Sequence, residues 1–201
     1  MREDKQRSEV MELWRLCFED TEEFIQWYFA RKYRDENALI YRDTAQRALA
    51  ALQMLPYSMT FAGGEVNTSY ISGACTCPEA RNQGIMTVLL HRSLQIMLER
   101  GIALTTLIPQ ESWLFEYYRK SGYAPVFDYT LKEYTVNEQV KGLENVSCLE
   151  ENPGPLPLYF DYFTDRMGKR SCCVQHDKED FNAILEDLYI GGGRLFVAGE
   201  K

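Results

Sequence analysis

The spacing of apolar residues changes period several times along the chain. Between residues 8 and 18, Val10, Leu13, Leu16 and Cys17 recur at helical spacing. Asp20 followed by Glu23 is similar to a capping box and predicts a second helix, with Phe24, Ile25, Tyr28 and Phe29 on one side. This aromatic stripe reads as core or pocket wall. Strand patterns follow: a short one over 37–41, a long apolar one over 47–56, and a third over 57–61 that ends at the turn pair Gly63-Gly64. A longer strand pattern over 66–77 stops at Pro78. After the polar link 79–83 and Gly84 comes a long helix pattern carrying Ile85, Val88, Leu89, Leu94, Ile96, Met97 and Leu98. Gly101 supplies its stop. Residues 103–108 read as a buried strand, parallel to the 66–77 strand across a right-handed crossover and broken by Pro109. Ser112 is expected to cap a short helix over 113–120, which Gly122 ends. Residues 123–134 alternate as a strand, and 146–149 read as a further short one. The order is an antiparallel meander feeding a strand–helix unit, which places the chain in the mixed α/β (α+β) class.

The pattern then breaks. The acidic residues Glu144, Glu150 and Glu151 and the run Asn152-Pro153-Gly154-Pro155, with Pro157, read as solvated linker and domain boundary. An aromatic, helix-like segment begins at Leu158-Tyr159, and Arg170 precedes Cys172-Cys173-Val174. Asp177 with Asp180 opens a helix whose apolar face is Phe181, Ile184, Leu185 and Leu188. Gly191 to Gly193 end it, and 194–198 read as an apolar strand. The expected division is 1–137, a linker region over 138–157, and the start of a second, incomplete or degenerate unit over 158–201.

Composition narrows the function classes. A chain of 201 residues suits one large domain, or one domain and part of another. Its 45% hydrophobic content supplies a sizeable core. A net charge of −8 and a pI near 4.9 argue against a general nucleic-acid or anionic-membrane binder. They suit a cationic substrate such as an amine. The charged N-terminus lacks a signal-peptide core and no apolar run reaches membrane-spanning length, so the expected location is cytoplasmic. The six cysteines are Cys17, Cys75, Cys77, Cys148, Cys172 and Cys173. They form no paired CxxC motifs, and His91 and His176 lie at no metal-site spacing. They read as reduced, mostly buried thiols, with no metal. A nucleophilic Cys77 near a helix N-terminus is the minor alternative.

One stretch carries the candidate chemistry. A strand, a glycine-containing turn and a helix N-terminus together make an anion site, because first-turn amides have no intrahelical partner and the helix dipole adds partial positive charge. Gly84 permits close backbone approach or positive φ, and Arg81 adds a multi-donor cation suited to phosphate.

Three motifs in order resemble the GCN5-related N-acetyltransferase (GNAT) superfamily. The first, Arg81-Asn82-Gln83-Gly84-Ile85-Met86, is similar to the family's Arg/Gln-x-x-Gly-x-Gly/Ala pyrophosphate loop, with Met86 at the usual small-residue position. The second, Tyr118-Arg119-Lys120-Ser121-Gly122-Tyr123, is similar to the family's Tyr-x-Lys-x-Gly-Phe pattern. The third is the strand over 69–76, leading into Cys77-Pro78. The bulky Ile85-Met86 pair and the preceding long strand and hairpin look like the first domain of Eis-type tandem acetyltransferases. The resemblance covers roughly residues 10–135.

It implies a GNAT-like, mostly antiparallel central sheet with a splayed parallel strand pair, flanked by helices. It also implies transfer of an acetyl group from acetyl-CoA to a primary amine of a small molecule or peptide. Ala74, Cys75 and Thr76 would line pantetheine. Arg81 and the residues Asn82, Gln83, Gly84, Ile85, Met86 and Thr87 would hold pyrophosphate. Ser112 and Trp113 would flank the CoA arm, and Tyr118 would be the general acid. No general base is visible: residues 67–76 carry no carboxylate, and Glu111 and Glu116 read as solvated. The acceptor cleft would draw on 24–33 and 57–64. A catalytically silent acyl-CoA-binding module and an interaction domain from a larger tandem protein stay open. So does a homo-oligomer in which the tail covers another subunit's sheet edge.

Overall fold

Helix α1, Arg2–Cys17, opens the chain in this computed structural model, which describes residues 2–127, 146–149 and 157–198. The helix starts before residue 8 because its first turns are rich in Glu, Lys, Gln and Arg, all good helix formers. Helix α2 is Glu22–Arg31. Its cap is Thr21, whose side chain accepts from the Phe24 amide, and not Asp20. Asp20 instead accepts from Trp14 Nε1 at 2.7 Å, so burial of that indole claims the carboxylate. Ile25, Tyr28 and Phe29 turn inward, and Trp14 packs against Tyr28 and Phe29 with centroids 4.6 and 5.6 Å away. The aromatic stripe is core.

The main sheet runs β1 (Ala38–Arg42), β2 (Ala48–Phe61), β3 (Gly64–Thr76) and β4 (Leu104–Thr106), antiparallel until the last pair, which is parallel. The two strands expected over 47–61 are one, continuous through Pro56. That proline sits where β2 has lost β1, whose pairing ends at Gln53, and has not yet met its next neighbour at Ser58. Proline is tolerated at such an edge because no ladder bond is missed. The hairpin turn is Ala62-Gly63, both at positive φ as a type I′ turn needs, and Gly64 already belongs to β3.

One irregularity shapes the site. Ala51 pairs with Cys75 but Gln53 pairs with Ser72, so Gly73 and Ala74 stand opposite Leu52 alone. This is a β-bulge. Gly73 has φ +58°, and a Cβ there would lie 2.4 Å from the Trp14 ring. Both facts demand glycine.

Helix α3, Ile85–Glu99, buries Ile85, Leu89, Leu90, Ser93 and Met97. Val88 and Leu98, expected on that face, are exposed. The chain leaves α3 through Gly101, whose N–H bonds Leu98 O, while Ile102 N–H reaches back to Met97 O. Strand β4 is shorter than the expected 103–108. Helix α4 is Ser112–Arg119, with Glu111 in the cap position and no side-chain cap, so Ser112 does not cap it. Residues 123–127 are not strand, and the remainder of the strand expected over 123–134 lies outside the described residues, as do Glu144 and the run Asn152-Pro153-Gly154-Pro155.

Strand β5 (Val146–Leu149) pairs with β7 (Leu195–Ala198) in a separate two-stranded sheet. Helix α5 is Pro157–Gly168. Strand β6 (Cys172–Gln175) joins the main sheet antiparallel to Ser58–Phe61 of β2. Helix α6 (Lys178–Ile190) carries the capping box of Asp177 and Asp180. Its buried residues are Phe181, Ala183 and Leu185, whereas Ile184 is exposed. All six cysteines are free thiols, but only Cys75 and Cys77 are fully buried.

Candidate functional site

The parallel ladder between β3 and β4 is brief. It joins Thr68, Ser69 and Tyr70 to Leu104, Thr105 and Thr106 and then stops. From Ile71 to Thr76 the β4-facing edge of β3 has no strand partner among the described residues. The bulge falls within this stretch and turns the strand away. A cleft of about 440 Å³ opens there, between the end of β3, the start of α3 and α4.

Ala74, Cys75 and Thr76 form the strand side of the cleft. Arg81, Asn82 and Gly84 form its loop side, with Asn82 at φ +62° and Gly84 at φ +75°. Two left-handed residues close together fold the loop tightly and aim the first amides of α3 into the opening. Ile85, Met86 and Thr87 line that helix start, and no acidic side chain occupies its first turn. A Cβ on Gly84 would meet no atom within 4 Å. Arg81 Nε donates to Thr76 O at 3.1 Å, which ties the loop to the strand end.

Trp113 and Tyr118 supply the α4 wall. Gln83 and Ser112 do not line the cleft. Gln83 bonds back to Glu79 O, and Ser112 is an exposed first-turn residue. The cleft also holds residues that the sequence did not place there, notably Cys17, Phe18 and Tyr117. Cys17 and Phe18 reach it only because α1 ends against β3. The Tyr117 hydroxyl lies 3.5 Å from that of Thr87, and the helical spacing of Tyr117 from Trp113, four residues earlier, was the available signal.

Tyr118 stands in a cluster of rings, 5.5 Å from Tyr117 and 5.8 Å from Tyr123. Burial, then the neighbouring phenols Tyr117, Tyr123 and Tyr70, push its pKa up to about 12. It is a protonated donor at neutral pH. Of the carboxylates considered, Glu111 touches the cleft but is exposed, and Glu116 is taken by Arg119 at 2.8 Å.

A second polar patch lies farther along the sheet. The Tyr28 hydroxyl is 2.9 Å from Ser72 Oγ and donates to Gln53 Oε1 at 3.4 Å. Lys32 sits over the Tyr57 ring, 5.3 Å from its centroid, and pairs with Asp180. His176 meets Tyr57 edge-on at 5.4 Å. Burial opposes ionisation of Asp180, but the neighbouring His176 imidazole and the paired Lys32 ammonium prevail and hold it at about 2. A cavity of about 660 Å³ opens here between Tyr57, Thr68, His176 and Asp177. His176, Asp177 and Asp180 were read as parts of a separate unit. Their approach to Tyr57 depends on the pairing of β6 with β2, which no local pattern announces.

Among the described residues no group of three or more His, Cys, Asp or Glu side chains is arranged to hold a metal ion. No helix there is long and apolar enough to cross a membrane.

No curated protein matches the sequence. Among solved structures, a transcriptional regulator from Bacillus halodurans C-125 is similar in fold, with 16% identity and a TM-score of 0.51 over 63% of this chain and 94% of that one. An aminoglycoside 6′-N-acetyltransferase from Acinetobacter haemolyticus matches at 13% identity and a TM-score of 0.50, over 67% of this chain and 95% of that one. A conserved protein from Enterococcus faecalis V583, described as a probable N-acyltransferase, has 19% identity and a TM-score of 0.49 over 58% of this chain. The match spans only 29% of that protein's length. The model of the acetyltransferase (GNAT) domain family matches residues 2–126, the stretch from α1 past α4 that builds the splayed sheet and its cleft, and the chain belongs to that family.

Proposed function

We propose that this chain transfers the acetyl group of acetyl-CoA to a primary amine of a small molecule or peptide. The observation that carries the reading is the partnerless edge of β3 running into the left-handed Gly84 and the open first turn of α3. An extended arm ending in a pyrophosphate fits that sequence of backbone groups. Ala74, Cys75 and Thr76 pair with the pantetheine arm. The amides of Asn82, Gly84, Ile85, Met86 and Thr87 and the Arg81 guanidinium hold the pyrophosphate. Acetyl-CoA supplies an activated thioester. As the neutral amine nitrogen bonds the acetyl carbon and the C–S bond breaks, Tyr118 donates its phenolic proton to the departing sulfur, and the proton shed by the nitrogen passes through solvent to restore the phenol. The amine reaches the thioester from the side of 24–33 and 57–64, where Tyr57 borders the second cavity. The bulky Ile85-Met86 pair favours kinship with Eis-type tandem enzymes, with 158–201 as the start of a second unit docked on the first.

A second reading is a silent acyl-CoA-binding module. It is favoured by the cleft itself, whose one carboxylate, Glu111, is exposed.

Thermal unfolding with acetyl-CoA tests the donor site. At about 100 times its Kd the ligand adds roughly 2.7 kcal/mol, or about 5–10 °C in Tm for a chain of this size. Gly84 sits at φ +75°, so Gly84→Val strains the loop although its Cβ would meet no atom within 4 Å, and the variant's fold is checked by its own melt before acetyl-CoA is added. The shift is expected in the wild type and absent in the variant. A full shift in Gly84→Val would overturn the placement of the pyrophosphate, and no shift in the folded wild type would overturn acetyl-CoA as donor.

A further inference from the structure

We propose that Cys17 and Cys75 form a peroxide-oxidisable thiol pair in the wall of the cleft, with Cys17 taking the first modification and Cys75 resolving it to a disulfide. The sulfur chemistry stands on its own geometry. Its effect on ligand binding rests on the acetyl-CoA reading above.

The pair is made by the bulge. Without it, Cys75 would face away from Ser72, an odd number of residues earlier. The extra residue puts both on one face, because their partners Ala51 and Gln53 are two apart on β2. That face is covered by α1 and α2, as the Tyr28–Ser72 contact shows. The last residue of α1 is Cys17. Its thiol donates to Thr76 O at 3.3 Å, and Arg81 Nε donates to the same carbonyl at 3.1 Å. Thiol and guanidinium therefore share one acceptor. Cys17 and Cys75 both line the cleft, but Cys17 is half-buried and Cys75 fully so.

The two sulfurs differ in ionisation. The Cys75 thiol beside it, and then Arg81, lower Cys17 to about 7 against the opposing effect of burial. Cys75 is pushed up, first by the neighbouring Cys17 and then by burial. Cys17 is thus the nucleophile and Cys75 the protonated reserve. Cys77 is also buried and pushed up, but it does not line the cleft.

The chemistry balances. The Cys17 thiolate attacks a hydroperoxide: an S–O bond forms, the O–O bond breaks, and the leaving alkoxide or hydroxide takes a proton. Sulfur is oxidised by two electrons and the peroxide is reduced by two. The Cys75 sulfur then displaces hydroxide from the sulfenic acid, and its own proton completes a water molecule. The bridge pins the end of α1 to β3 beside Arg81.

Hydrogen peroxide treatment of the full reduced chain, followed by peptide mass spectrometry with dimedone as sulfenic-acid trap, tests this. The wild type should yield a Cys17–Cys75 disulfide peptide. Cys75→Ser should yield a dimedone adduct on Cys17, and Cys17→Ser should leave Cys75 unmodified. At pH 7 a thiol of pKa near 7 has a thiolate fraction about fifteenfold above an ordinary one. Its lower intrinsic nucleophilicity reduces the expected rate advantage to about threefold. Cys148, which is exposed, is the internal reference. Oxidation of Cys148 while Cys17 and Cys75 remain thiols would overturn the proposal. Oxidation should also abolish the acetyl-CoA shift in Tm, and a reductant should restore it. A mapped disulfide that leaves the shift intact would overturn the effect on binding. A reduced chain that never shifts would instead overturn the donor reading, with the mapped disulfide still standing.

Discussion

In the proposed reaction, Tyr118 is the proton donor of the cleft. Its proton is held firmly, with a pKa near 12, so the donor form persists through the alkaline range. Tyr118→Phe removes the proton and keeps the ring. Turnover should fall about 100-fold, the lower end of what general acid catalysis supplies, while the acetyl-CoA shift in Tm is unchanged. Steady-state rates beside thermal melts check both halves, and an unaltered kcat would remove Tyr118 from the mechanism. Arg81, Gly84 and Tyr118 were legible in the sequence because each belongs to a motif with fixed spacing. Cys17 and Phe18 were not. They come to the cleft through the packing of Trp14 against Gly73, a contact between residues far apart in the chain.

The elements divide in the same way. Long periodic segments such as α2, α3 and β3 could be read directly, because burial of one face dictates the period. Pro56 misled, since proline reads locally as a strand end and only the absence of a neighbour on that edge makes it harmless. Helix α6 was legible as a helix but not in its partners. Arg31 and Trp27 of α2 both bond Glu186, at 2.7 and 2.8 Å, and Lys32 pairs with Asp180. Asp180→Asn should therefore cost about 2 kcal/mol at pH 7, between the values for exposed and fully buried pairs. The sign with pH follows from the depressed carboxylate. Its contribution is complete above an unfolded value near 4 and is lost as pH falls toward the folded value of about 2. Urea melts of both proteins should converge between pH 4 and 2. A gap as wide at pH 2 as at pH 7 would mean the variant acts through packing alone.

At the scale of the whole chain, the last elements are bound into the first unit by a strand and a set of ion pairs. Strand β6 extends the main sheet, and Thr60 Oγ1 donates to Arg170 O at 2.8 Å. A single cooperative transition is expected in calorimetry, with calorimetric and van't Hoff enthalpies equal. Two resolved transitions would show that 157–198 melts independently. The partnerless edge of β3 has a further consequence. An unpaired strand offers its N–H and C=O groups to any passing chain, and the stretch Ile71–Thr76 carries no charge or proline to discourage that. Whatever fills the cleft is therefore also a guard against self-association. Light scattering of the ligand-free protein should therefore rise with concentration and acetyl-CoA should suppress that rise, whereas equal scattering with and without it would show that the edge is already shielded.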